Sequence, residues 1–199
     1  MEKILRLFLY HNKLKFNEIE KLSGLRSNKV SYYLKKLIEK KIIKKKGEFY
    51  SLTESSELLI PYLSEKRAVL PVVLIAIKQG KRIFLYKREK RPYKDKISLP
   101  GGRILLGESI KNAVKRIMKE KFNINAALEK INSISMEHVK KDKKIIHTFF
   151  LILVSAKTKD KVEYTDVIKN KSKIISSDYN LIQNDLKKEI KIKNIFSRV

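Results

Sequence analysis

The stretch Leu99-Pro100-Gly101-Gly102-Arg103, followed by Glu108, Arg116 and Glu120, decides how most of this chain folds. From Ser109 to Phe122 the residues Ile110, Ala113, Val114, Ile117 and Met118 recur at helical spacing and predict one amphipathic helix. Asn123 follows and can close that helix in the left-handed region, as glycine usually does. Gly101 and Gly102 are expected to adopt conformations that a Cβ forbids, which lets a strand pass tightly into the helix. The unit is therefore strand, glycine loop, helix, with two acids and one arginine spaced along it.

Reading outward, Val69–Ile77 and Arg82–Lys87 predict two strands around Lys78-Gln79-Gly80-Lys81. A loop through Pro92, Lys94 and Lys96 then leads to Ile97-Ser98-Leu99. Downstream, strands are expected at Lys130–Glu137 and Ile145–Ala156, a shorter one near Lys173–Ile175, and a last helix around Tyr179–Glu189. Together these segments, residues 67–199, read as α+β.

The run resembles the signature of the Nudix hydrolase superfamily: Gly, five residues, Glu, seven residues, then Arg-Glu-hydrophobic-x-Glu-Glu-x-Gly-hydrophobic. Gly102, Glu108, Arg116, Met118, Glu120 and Ile124 match, while Ile117, Lys121 and Asn123 depart from it. The resemblance implies an α/β/α sandwich with mixed sheets that acts on a nucleoside diphosphate linked to another group, using Mg²⁺ or Mn²⁺ held by helix glutamates. It makes Gly101, Gly102, Glu108 and Arg116 structural members of the box, with Glu108 pairing Arg116. Glu120 is the surviving metal ligand and catalytic candidate. Two further metal positions are occupied by Ile117 and Lys121, and Mg²⁺ sites need oxygen ligands in near-octahedral array. Partner carboxylates for Glu120 could come from Glu137, Asp142, Glu163 or Asp166. Arg88, Lys96, Arg103 and Lys121 are the candidates for contacting ligand phosphate directly in place of metal, the lysines as flexible point charges.

The first 66 residues read differently. Ile4, Leu5, Phe8 and Leu9 share one helical face; a second short helix near Asn17–Ser23 ends at Gly24, with Asn17 as N-cap. Ser27 is expected to cap a third helix reaching about Lys40, with Val30, Leu34, Leu37 and Ile38 as its apolar stripe. Ile42–Lys46 and Glu48–Leu52 predict a hairpin turning at Gly47, and Leu58, Leu59 and Tyr62 suggest another helix before the seam. This order resembles a winged helix-turn-helix of the kind common in prokaryotic regulators. Such a fold implies that Asn28, Lys29, Ser31, Tyr32 and Lys35 face double-stranded DNA and that Lys44, Lys45 and Lys46 lie along its backbone.

The balance of 47 basic against 21 acidic residues, +26 in 199 residues, fits polyanionic partners. Residues 1–66 hold 15 basic and 8 acidic side chains and the remainder 32 and 13, so both parts are basic. With no cysteine, disulfides and thiolate metal sites are excluded. His138 and His147, nine residues apart, make no zinc set on their own. Apolar runs are strand-sized, so a cytoplasmic protein without membrane attachment is expected.

The sequence thus sets out a transcriptional regulator: residues 1–66 bind DNA, and residues 67–199 sense a nucleotide, nucleotide sugar or related diphosphate with no required cofactor. Dimerisation is expected from the two-fold symmetry of operators. The alternative is an active Nudix hydrolase cleaving ADP-ribose or another nucleoside diphosphate-X compound with Mg²⁺ or Mn²⁺. A third reading is a basic RNA-binding or structural factor.

Overall fold

The computed structural model describes residues 1–57, 69–90, 92–195 and 197. The chain divides into two compact units, Met1–Ala68 and Val69–Val199. The seam expected between residues 66 and 67, and the helix expected from Leu58, Leu59 and Tyr62, lie outside the described residues.

In the first unit, helices α1 (Glu2–Leu7), α2 (Phe16–Ser23) and α3 (Ser27–Glu39) surround a small antiparallel sheet. Its strands are β1 (Leu14–Lys15), β2 (Ile43–Lys46) and β3 (Phe49–Leu52), in the order β1-β3-β2; a short α4 (Glu54–Glu57) follows. Ile4, Phe8, Ile19, Val30, Leu34 and Leu37 meet Ile43 and Leu52 in one core. α2 ends at Gly24 in the left-handed region (φ 63°), and Gly47 turns the hairpin at φ 60°. The caps differ from expectation. α2 begins one residue early, at Phe16, because Glu18 accepts the Lys15 backbone N–H at 2.6 Å. Ser27 lies inside α3 rather than capping it, since its hydroxyl is turned to the Glu20 carboxylate. β1 was not expected; two residues carry too little periodicity to read.

The second unit is built on a mixed six-stranded sheet. β4 (Leu70–Gln79) and β10 (Lys144–Thr158) run parallel at its centre. β5 (Arg82–Phe84), β8 (Gly101–Arg103), β9 (Ala126–Lys141) and β11 (Tyr164–Asp166) join them antiparallel. A separate pair, β6 (Tyr86–Lys87) with β7 (Ile97–Ser98), closes the loop before the glycines. Alternation along β4 supplies both faces. Val73, Ile75 and Ile77 pack with Ala113, Val114, Ile117 and Met118 of α5 (Ile110–Phe122). Leu74 and Ala76 pack with Leu99, Leu181 and Ile182 on the face carrying α6 (Ser176–Asn184). The result is a helix on each side of a mixed sheet, as expected.

α5 ends at Asn123 with φ 54°, as its sequence indicates; Ser109, expected as its first residue, instead caps it by accepting the Asn112 N–H at 3.2 Å. Four further details differ. The hairpin β9–β10 is far longer than expected, because cross-strand pairing continues past the apolar segment into Lys140, Lys141 and Lys144. The second expected strand breaks at Leu85, which turns inward to the core. Lys173–Ile175 makes one bridge to Ile97 in place of a strand, while β11 forms at residues where no strand was expected. The last helix starts three residues and ends five residues earlier than expected, and its first turn carries the buried Asp178.

Candidate functional site

The glycines act by closeness rather than by conformation. Neither Gly101 nor Gly102 has a positive φ, which corrects the expectation above. They form β8 against β4, where a Cβ on Gly101 would stand 2.8 Å from the Val73 carbonyl oxygen. A Cβ on Gly102 would meet Ile117 Cγ1 at 2.9 Å.

Between the glycines and α5 the loop is fastened by Arg116. Its Nε donates to Glu108 Oε1 at 2.7 Å and its Nη2 to Oε2 at 2.8 Å, a two-pronged ion pair. The same Nη2 donates to the Arg103 carbonyl at 2.9 Å, and Glu108 Oε2 accepts the Leu105 N–H at 3.0 Å. Hydrogen bonding to Arg116 is the main reason that the Glu108 carboxyl is held below its ordinary pKa. Glu108 and Arg116 thus pair across the junction of loop and helix.

Glu120 points elsewhere. Its side chain is 61% exposed and sits 3.3 Å from Arg116 Nη1. Ile117, one turn earlier, is fully buried in the α5 core. Lys121 lines the cleft, and its ammonium donates to the Gly101 carbonyl oxygen at 2.5 Å. Burial first, then Arg88, Lys90 and Arg116, lower the Lys121 pKa. A divalent ion at this helix would therefore meet one salt-bridged carboxylate, an alkyl side chain and an ammonium. Among the described residues no group of three His, Asp or Glu is placed to hold a metal ion. The donor set does not fit the ion that the resemblance implies.

Of the four phosphate candidates, Arg88, Arg103 and Lys121 line one cleft of about 760 Å³. Lys96 does not: its ammonium is turned to the Ser172 carbonyl at 3.2 Å and lines two neighbouring hollows instead. Of the carboxylates offered as partners for Glu120, Glu137 lines the cleft but is engaged by Tyr93 and Ser177. Asp142 stands at the tip of β9–β10, and Asp166 accepts the backbone N–H groups of Ile168 and Lys169.

Sequence reasoning missed the most deeply placed acid of the cleft. Asp178 is 4% exposed, and its Oδ2 accepts both the Ser98 hydroxyl and the Leu99 N–H at 2.8 Å. Burial pushes its pKa up to about 6, with Glu137 adding to the rise. The run Ser176-Ser177-Asp178 before Leu181-Ile182 reads as a helix start, and nothing in it distinguishes an acid turned inward. His147 stacks on Phe149 at 6.0 Å between centroids and also lines the cleft; His138 is bonded to Thr148 at 3.1 Å.

In the first unit Asn28, Lys29, Ser31, Tyr32 and Lys35 are all exposed on α3, opposite the buried Val30, Leu34 and Leu37. Lys44, Lys45 and Lys46 are exposed along β2, with Lys45 above the Tyr50 ring and Lys36 above that of Tyr32.

A helix on each face of a mixed sheet, with a glycine strand clamped by arginine over a basic cleft, defines a Nudix-type α/β/α unit. A family model described as the NUDIX domain matches residues 67–173, more than half of the chain, and the protein belongs to the Nudix family. No curated protein matches it. Among solved structures, it is similar to the MutT protein of Methanosarcina mazei Go1 at 17% identity and a TM-score of 0.49, covering 60% of this chain and 94% of that one. A NUDIX hydrolase from Nitrosomonas europaea is similar at 17% identity and a TM-score of 0.46, over 53% and 78% of the two chains. A bifunctional NMN adenylyltransferase/ADP ribose pyrophosphatase from Francisella tularensis gives 16% identity and 0.46, over 84% and 51%. No helix among the described residues is long and apolar enough to cross a membrane.

Proposed function

We propose that the second unit binds a nucleoside diphosphate-linked compound in the cleft, with Lys121, Arg88 and Arg103 meeting its phosphates and no divalent ion required. One observation carries this reading: the Lys121 ammonium reaches the glycine strand at the helix position where the family resemblance implies a metal-binding glutamate. Charge compensation by one ammonium and two guanidinium groups replaces that by metal, the ammonium binding as a flexible point charge.

Family membership speaks for the alternative, hydrolysis of a nucleoside diphosphate-X compound with Mg²⁺ or Mn²⁺, more than for a regulator. The two are separated by calorimetry with inorganic pyrophosphate and ADP-ribose in chelator, alongside product assays in Mg²⁺ and Mn²⁺. Binding that survives chelation and falls about tenfold in Lys121→Met supports ammonium-based recognition. Sustained metal-dependent turnover that Glu120→Gln abolishes selects the hydrolase instead.

For the first unit we propose a winged helix that binds double-stranded DNA, most simply as a homodimer, making the whole chain a ligand-responsive regulator. Its support is the exposed polar face of α3 together with the lysine-lined hairpin. Electrophoretic mobility shifts on genomic fragments, with and without pyrophosphate compounds, test it.

A further inference from the structure

We infer that a lysine-lined groove beside the cleft binds single-stranded nucleic acid, with phosphates on Lys94, Lys96, Lys171 and Lys173 and a base on the ring of Tyr179. The inference goes beyond the diphosphate reading and does not depend on it.

Lys96 is the one phosphate candidate turned away from the cleft. It stands where two hollows of about 630 and 520 Å³ adjoin, and with Ser172 it lines both. Lys87, Lys94 and Lys173 join it in one hollow and Lys169 and Lys171 in the other, against a single acid, Asp95. Six lysines to one acid exceeds the 47 to 21 of the whole chain, so positive charge is concentrated here and not merely spread. Asp95 is taken by Lys87 at 3.2 Å. Among the described residues the other five lysines have no carboxylate at ion-pair distance. Gathered ammonium groups repel one another, and a row of phosphates relieves that repulsion.

The groove is held in shape by its own backbone. Lys169, Lys171 and Lys173 come from one loop, where Asp166 accepts the N–H groups of Ile168 and Lys169 and the Asn170 side chain donates to the Asp166 carbonyl. The Lys173 carbonyl accepts the Ile97 N–H at 2.9 Å, and Lys96 Nζ donates to the Ser172 carbonyl at 3.2 Å. The segment carrying Lys94 and Lys96 is thus tied to the loop carrying the other three. A groove built before its ligand arrives binds at a smaller entropic cost.

Shape and rings select the kind of polyanion. Each hollow is in the size range of a nucleotide-sized ligand, and the two are joined, which suits a chain of nucleotides. A duplex keeps its bases stacked inside, whereas a single strand can splay them onto aromatic rings. Tyr179 lines the first hollow and Tyr86 the second. Lys171, with Nζ 5.2 Å from the Tyr179 ring centroid, sets a phosphate partner beside a stacking surface. Every base has a face to stack, so little sequence preference is expected.

The test is fluorescence anisotropy on the full chain with labelled oligouridylate and oligodeoxythymidylate of about 12 nucleotides, and with inorganic polyphosphate of matched charge as competitor. The triple variant Lys94→Ala, Lys171→Ala, Lys173→Ala should weaken binding by about tenfold or more and lower the slope of log affinity against log salt by about 2. The charge-matched variant Lys111→Ala, Lys115→Ala, Lys119→Ala, on the exposed face of α5, should leave both unchanged. Tyr179→Leu keeps an apolar side chain against the core and should cost about tenfold with the slope unmoved. Tight binding of either strand supports the groove, and the tighter one names the sugar it serves. Equal losses in the two triple variants, loss only on neutralising Lys44, Lys45 and Lys46 of the first unit, or no binding at all overturns the groove. Polyphosphate that displaces the strand at matched charge, with Tyr179→Leu silent, overturns the nucleic-acid assignment. Pyrophosphate binding in the cleft is measured separately and stands or falls on its own.

Discussion

Gly102 lies so close to Ile117 that a Cβ on the glycine would come within 2.9 Å of Cγ1 and 3.0 Å of Cδ1 of the isoleucine. The side chain that stands in place of a family glutamate is therefore what the glycine strand rests upon. Ile117 is part of the core at this position, and the cleft floor is packed by dispersion rather than set by ligation.

Gly102→Ala should destabilise the second unit by about 1–3 kcal/mol through overpacking. Gly101→Ala should cost more, since its Cβ would strike the Val73 backbone oxygen, which cannot rotate away. A double-mutant cycle in urea with Ile117→Ala should show positive relief, the double variant losing less than the sum of the singles. Strict additivity would mean that the two residues do not press on one another.

Glu108→Gln should cost about 1–3 kcal/mol at pH 7, because it strips the charge from a half-buried, two-pronged pair and leaves Arg116 under-satisfied. The folded-state pKa of Glu108 lies below its unfolded value. The folded chain thus holds fewer protons there, and the contribution is present above the unfolded pKa of about 4.3 and lost as pH falls below it. Denaturant midpoints of wild type and Glu108→Gln should converge on acidification.

Asp178 carries the opposite sign. Its folded pKa of about 6 exceeds the unfolded value of about 3.9, so the folded state binds the proton more tightly. Stability should therefore fall as pH rises from about 4 to 6, by an amount on the order of 2–3 kcal/mol. Asp178→Asn should flatten the stability–pH curve across that window. An unchanged slope would show that Asp178 is not the group titrating there.

Neutralising one of Lys44, Lys45 or Lys46 should lower the slope of log affinity against log salt by about 0.9 and weaken cognate and unrelated duplexes alike. Asn28→Ala should change the ratio between duplexes instead. Salt titrations of fluorescence anisotropy read both quantities. Indifference of both to the whole face would remove DNA binding from the first unit.

Where periodicity was strong, the sequence was enough. α5 and its asparagine stop follow from residues 109–123 because one amphipathic stripe and one left-handed residue act locally. The Glu108–Arg116 pair was legible only through the family pattern, since eight residues do not bring two side chains together on a helix. Asp178 and Lys96 were read poorly for a common reason. Whether a polar side chain turns into the cleft or away from it is set by partners 70 to 80 positions away, Ser98 and Leu99 in one case and Ser172 in the other. Local sequence carries no trace of those partners. Ile117 was visible as a departure, but its service as the bed for Gly102 was not.

β4 has a consequence that concerns measurement more than stability. Its Val73 and Leu74 are bonded in register to Gly102 and Gly101, and its opposite edge aligns Leu70 and Val72 with Phe149 and Leu151. The glycine strand and the aromatic strand that line the cleft are thus both hung from one strand, at spacings dictated by the peptide ladder. The spacing between these two strands behaves as a fixed gauge: side-chain changes can alter what lines it, but only a slip of β4 could reset it. Such a slip by one residue would exchange the two apolar sets of the strand. Ligand size should accordingly be the property of this cleft slowest to drift, and ligand chemistry the fastest.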